Sequence, residues 1–147
     1  MGGLPPVNDR ECVRWVGRLV QSGLSLIAVG FDHAVVGHAV LCPMKKKTCE
    51  MLITVSPQYQ KSGVGTQLLR SVIQFAYELG FHRIWISVDK TNFVAIHLYT
   101  KSGFERLTFT DSPQLEMALD LKRYHPTAQL KVKAVMNRKV IAVNQGL

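Results

Sequence analysis

Two glycines one residue apart, Gly63 and Gly65, stand where a strand must stop and a helix must begin. The segment is Val55-Ser56-Pro57-Gln58-Tyr59-Gln60-Lys61-Ser62-Gly63-Val64-Gly65-Thr66. Pro57 blocks a continuing strand, and an amphipathic run follows Gly65 at once. Such a junction offers unpaired backbone N–H groups at the positive end of a helix dipole, a setting that suits a diphosphate. Glycine lets the backbone approach an anion without a Cβ in the way. Glycine-rich strand-to-helix turns also occur as plain connections, so the segment alone leaves both readings open.

Two familiar nucleotide signatures are disfavoured. A P-loop needs Lys followed by Ser or Thr directly after its last glycine, and here Gly65 is followed by Thr66-Gln67. A dinucleotide fingerprint needs three glycines within a repeated β-α-β order, whereas two glycines follow three successive strand patterns. Cys42 and Cys49 with His33 or His38 have no close Cys-x-x-Cys or His-x-x-x-His spacing, so no metal site is expected. Lys45-Lys46-Lys47 reads as a solvated loop tip, and Asp89 as the cap of a following helix.

The elements that must hold this junction can be read from periodicity. Residues Asp9 to Gln21 predict a helix, with Val13, Val16, Leu19 and Val20 near helical spacing. Strands are predicted at Leu24–Val29, Val35–Leu41 and Thr48–Val55, the first two joined by a turn at Gly30 to His33. The strongest helix runs from Gly65 to Leu79, with Leu68, Leu69, Val72, Ile73, Ala76 and Leu79 on one stripe and Gly80 past its end. Ile84, Ile86 and Val88 alternate as a strand. A short helix from Asn92 to Lys101 ends at Gly103, and strands at Phe104–Phe109 and Leu115–Leu121 follow. The order is α-β-β-β-α-β-α-β-β around one mixed sheet, an α/β (α+β) fold. In the tail, alternation about Leu130 to Ala134 and Lys139 to Val143 fits a hairpin, although Ala128, Val132, Val135, Met136, Val140 and Val143 also fit a basic amphipathic helix.

A second motif lies downstream: Asn92-Phe93-Val94-Ala95-Ile96-His97-Leu98-Tyr99-Thr100-Lys101-Ser102-Gly103-Phe104. With Gln60-x-x-Gly63-x-Gly65 it resembles the GNAT superfamily of acetyl-CoA-dependent N-acetyltransferases. Both family signatures match, in order, and the resemblance covers about residues 24–121. It implies the GNAT fold for residues 1–121, with 122–147 a basic C-terminal extension. It also implies acetyl transfer to a primary amine by direct attack in a ternary complex. The pyrophosphate of acetyl-CoA would rest on Gln60, Lys61, Ser62, Gly63, Val64, Gly65 and Thr66. The strand before that loop would splay from the next, leaving Ile53, Thr54 and Val55 to pair with the pantetheine arm, and Asn92 would hold the cofactor or order its loop. Tyr99 would lie near the sulfur and act as general acid, and Glu50 is the first candidate base, ahead of His38. An acyl-CoA-binding or regulatory module without acceptor chemistry is the alternative. Family members normally open with a strand and two helices on the acceptor side. Only about 20 residues precede the first predicted strand here, so that part is expected to be reduced, or replaced by a tail hairpin that a homodimer could share.

The composition fits one globular domain: 147 residues, 47% hydrophobic and 19% charged. No run is apolar over the roughly 20 residues a membrane helix needs, and residues 1–6 do not read as a secretory signal. Three cysteines, Cys12, Cys42 and Cys49, suggest a reducing, cytoplasmic setting. All 10 acidic residues and 12 of the 18 basic ones lie in residues 1–121, so most of the net charge of +8 belongs to the tail. A basic tail suits anions or simply solvent. No aromatic platform or recognition helix supports nucleic-acid binding, and the scarcity of acids argues against a polycationic acceptor. A protein amine or a small amino compound remains.

Overall fold

The structure is a computed structural model and describes residues 10, 11, 14, 24–30, 32–107, 111–126, 133–135 and 140–143. Residues 10, 11 and 14 are helical, and the rest of the helix expected over Asp9 to Gln21 lies outside the described residues. The chain then forms β1 (Leu24–Val29), β2 (Val35–Pro43) and β3 (Thr48–Val55), an antiparallel meander. A single 3-10 turn, Pro57–Tyr59, leads into α1 (Val64–Glu78). There follow β4 (Arg83–Asp89), α2 (Phe93–Lys101), the short β5 (Glu105–Arg106) and β6 (Gln114–Asp120). The tail adds β7 (Lys133–Val135) and β8 (Val140–Val143), which pair antiparallel with each other.

All eight strands join one sheet in the order β5-β6-β4-β3-β2-β1-β8-β7. Apolar residues of one sheet face, among them Leu26, Leu41, Met51, Ile84, Ile86 and Met117, close over the stripe of α1 formed by Leu68, Leu69, Val72, Ile73 and Ala76. That burial is what makes a 15-residue helix stable here, since an isolated helix of this length is marginal in water. Ile96, Tyr99 and Phe104 belong to the same core, so α2 lies on the same face as α1. Val40, Cys42 and Leu52 form a separate small cluster, and strand alternation puts it on the opposite face.

Both helices end as their glycines predict. Gly80 takes φ +81° beyond α1, and Phe81 N–H and Gly80 N–H reach back to Ala76 O and Tyr77 O, at 3.1 and 3.0 Å. Gly103 takes φ +92° beyond α2, with Phe104 N–H on Tyr99 O and Gly103 N–H on Thr100 O, at 3.0 and 3.1 Å. Both pairs are the double bond of a Schellman cap.

One expectation is corrected: Phe104, expected to open a strand over Phe104–Phe109, is drawn into the cap of α2, and pairing with β6 begins at Glu105; residues 108–110 lie outside the described residues. The hairpin expected in the tail is present, and β8 runs parallel to β1 from Ser25↔Val140 to Ala28↔Val143, so the tail extends the sheet beyond β1 within the same chain.

Candidate functional site

The site begins where two parallel strands part. β3 and β4 pair only through Thr48↔Arg83, Cys49↔Ile84 and Glu50↔Trp85. Beyond that, β3 continues against β2 as far as Val55 and β4 against β6 as far as Asp89. A gap therefore opens between their C-terminal halves. Its lining follows from the ladder on the other side of β3. Met44 N–H bonds to Thr48 O at 2.7 Å and Ser56 N–H to Val36 O at 2.8 Å, so the even-numbered residues of β3 face β2. Ile53 and Val55 then turn their N–H and C=O groups toward the gap, while Thr54 directs its own to β2. Thr54 Oγ1 also donates to His38 O at 3.4 Å. Of the three residues expected to pair with an extended ligand, Ile53 and Val55 offer backbone groups and Thr54 does not.

At the wide end of the gap lies the head of α1. Gln60 N–H closes the 3-10 turn on Pro57 O at 3.3 Å, and Gln67 N–H opens the regular helix on Gly63 O at 3.0 Å. Between them Lys61, Ser62, Gly63, Val64, Gly65 and Thr66 present successive N–H groups that meet no acceptor among the described residues. An α-helix leaves its first four N–H groups without internal partners, and no side chain caps this one. Lys61 at φ +60° and Gly63 at φ +89° bend the loop into a concave turn of donors, the geometry in which consecutive amides hold an anion. The loop is tied to the gap at its start and braced internally. Gln60 Nε2 donates to Val55 O at 3.1 Å, and Ser62 Oγ donates to Tyr59 O. Gly65 sits where β3, α1 and α2 converge; a Cβ there would lie 3.6 Å from Val55 Cγ2 and 3.9 Å from Leu98 Cδ2.

The two residues expected to do chemistry lie on opposite faces of the sheet. Glu50 is the last residue of β3 paired to β4, at the apex of the opening, and is only 5% exposed. Its cross-strand partner is Cys42, so it shares the face of the Val40–Cys42–Leu52 cluster. Burial, and then the charge of Glu50, push the Cys42 thiol up. Tyr99 lies on the helical face, 8% exposed, its ring 5.5 Å from that of Phe104 and tilted by 56°. Its hydroxyl has no hydrogen-bond partner among the described residues. Burial raises the phenol to about 12. His38 stands opposite Thr54 on the Glu50 face, and burial lowers its pKa.

Asn92 is the N-cap of α2: its Oδ1 accepts Ala95 N–H at 3.1 Å, which orders the start of the helix. Asp89 takes a different part from the helix cap expected of it. It receives Thr91 Oγ1 and Thr91 N–H at 2.7 and 2.8 Å, and these bonds hold its carboxyl below the usual range. Cys42 and Cys49 are buried free thiols on opposite faces of the sheet, and no group of three metal-ligating side chains occurs among the described residues. The sequence pointed to unpaired amides at this junction, but their extent from Lys61 to Thr66 is fixed only by the helix start. The Tyr99–Phe104 contact was not read from sequence, since it depends on how the chain turns at Gly103.

Comparison with known proteins agrees with this geometry. A family model described as "Acetyltransferase (GNAT) family" matches residues 6–104. The streptothricin acetyltransferase of Streptomyces lavendulae is 34% identical over 83 residues, 54% of this chain and 43% of that protein. The [ribosomal protein bS18]-alanine N-acetyltransferase of Escherichia coli K12 is 30% identical over 84 residues, 57% of this chain and 49% of that protein. The chain thus matches less than half the length of these curated relatives. Among solved structures, an N-acetyltransferase from Staphylococcus aureus Mu50 superposes with a TM-score of 0.63 at 19% identity, over 82% of both chains. An acetyltransferase from Salmonella typhimurium solved with acetyl-CoA gives 0.55 at 24% identity, over 65% of this chain and 64% of that one. The chain belongs to the GNAT acetyltransferase family.

Proposed function

We propose that the protein transfers an acetyl group from acetyl-CoA to a primary amine by direct attack in a ternary complex. The observation that carries this reading is the run of six unpaired amides, Lys61 through Thr66, opening beside the gap between β3 and β4. Those donors fit the pyrophosphate, and the free edge at Ile53 and Val55 fits the pantetheine amides in strand-like fashion. The thioester then lies near the apex, with Tyr99 on one face and Glu50 on the other.

Each residue has a distinct task. A β3 backbone N–H turned into the gap nearer the apex than Val55 stabilises the oxyanion as the amine adds to the carbonyl. Glu50 accepts the proton that the attacking amine must lose. Tyr99 addresses the leaving sulfur. With its phenol at about 12 and a thiol near 8.5, complete proton transfer to the thiolate would be uphill by roughly 5 kcal/mol. Tyr99 therefore acts as a hydrogen-bond donor to the developing thiolate and stays protonated throughout the working range. The acceptor is assigned only as far as its amine. Relatives are named for acceptors as different as streptothricin, spermidine and a ribosomal-protein alanine. The buried free thiols Cys42 and Cys49 suit a reducing, cytoplasmic setting.

The test is release of CoA thiol from acetyl-CoA across a panel of amines. Tyr99→Phe should lower turnover at least tenfold while leaving acetyl-CoA affinity within about twofold. Equal turnover in the variant would remove Tyr99 from the chemistry. Absence of release with every amine, despite tight acetyl-CoA binding, would favour a binding module.

A further inference from the structure

We infer that Phe104 is the positioning residue for Tyr99: locked by the turn at Gly103, its ring fixes the direction of the phenol toward the leaving sulfur. The inference rests on the role proposed for Tyr99. That side chain has no hydrogen bond among the described residues to aim it, so packing must do so. The two rings meet at 5.5 Å and 56°, within the range that aromatic pairs prefer for tilted contact. Phe104 is only 2% exposed and has little room to move.

The backbone makes the contact obligatory. Tyr99 O accepts both Ser102 N–H and Phe104 N–H, each at 3.0 Å, so the residue five positions on is folded back over the last turn of α2. In a Schellman cap these two positions commonly touch through apolar side chains; here one of the two is the phenol. Gly103 permits the reversal at φ +92°, and a Cβ there would lie 3.3 Å from Leu119 Cδ1 on β6. The cap and the surrounding core hold Phe104 in place, and Phe104 holds Tyr99.

The test needs no acceptor. CoA itself is bound, and its thiol is titrated by the ultraviolet absorbance of the thiolate, in wild type, Tyr99→Phe, Phe104→Leu and the double variant. A well-aimed phenol donor favours the thiolate, so the bound thiol should titrate lowest in wild type. Phe104→Leu should raise it by about half a unit or more, and should add nothing once Tyr99 is Phe. An unchanged titration in Phe104→Leu, with a shift in Tyr99→Phe, overturns the positioning role and leaves the proposed function standing. An equal shift in both backgrounds means that Phe104 acts independently of Tyr99, which also overturns it. No shift in Tyr99→Phe removes the phenol from the sulfur, and the inference falls with it. Should Phe104→Leu fail to fold, Phe104→Met carries the same comparison with a smaller change of volume.

Discussion

Tyr99 and Cys49 are buried acids whose titration the fold resists. Burial pushes the phenol to about 12 and the Cys49 thiol, 0% exposed, also to about 12. In the unfolded chain the same groups ionise near 10 and near 8.5. Above those values the unfolded chain binds fewer protons than the folded one, so stability falls as pH rises and levels off only past the folded pKa. The Tyr99 contribution is present in full below about pH 10 and is lost between about 10 and 12; two units correspond to roughly 3 kcal/mol. Chemical denaturation at a series of alkaline pH values should therefore show a steep decline from about pH 9. Tyr99→Phe should flatten the part above pH 10. An identical decline in the variant would mean that the phenol is not sealed as described. Glu50 was found in the sequence by its place on the strand leading to the loop. Its burial at the apex of the gap was not, because that depends on where β3 and β4 stop pairing.

The hairpins and caps differ in how well their residues suit them. Gly80 and Gly103 stand where left-handed backbone is needed, and both were legible as helix ends. The connection between β2 and β3 is different. Lys46 and Lys47 take φ +56° and +55°, with Thr48 N–H returning to Lys45 O at 3.2 Å. Positive φ at both central positions is the pattern of a type I′ turn, which favours Asn-Gly. A residue with a Cβ is disfavoured there by roughly 1–2 kcal/mol. Replacing Lys46→Asn and Lys47→Gly together should raise stability by about 1–2 kcal/mol, read as a higher denaturant midpoint with an unchanged slope. A lower midpoint would show that the lysines take part in contacts beyond the turn. The sequence presented this segment as a charged tip; its strain was hidden because neither lysine is a usual turn residue. The start of β5 was misjudged for a similar reason, since a Phe-rich run looks like a strand until a glycine cap claims its first residue.

Across the molecule, the segments that carry the two motifs were legible and the long-range pairings of their strands were not. The strands from Leu24 to Val55, the helix ending at Gly80 and the second motif are local patterns, and local patterns survive in sequence. The splay of β3 from β4 is non-local, since it depends on β3 following β2 while β4 follows β6, and it was implied by the family resemblance rather than by local pattern. The attachment of β8 beside β1 is non-local too, joining residues more than a hundred positions apart. In the described residues this attachment gives β1 a neighbour on the side away from β2, where the family's opening strand was expected.

The central claim is that the loop before α1 holds the phosphates of acetyl-CoA, and calorimetric titration tests it most directly. Wild-type protein should bind acetyl-CoA and CoA saturably, with a dissociation constant on the order of micromolar, about −8 kcal/mol. Gly63→Glu should abolish binding, since a carboxylate would stand among the amides meant for an anion. Gly63→Ala shares the strain of φ +89° without the charge or bulk, and nothing lies within 4 Å of its added Cβ, so it should retain binding within about tenfold. Equal affinity for acetyl-CoA in wild type and Gly63→Glu would contradict the account, because the cofactor would then lie elsewhere on the molecule.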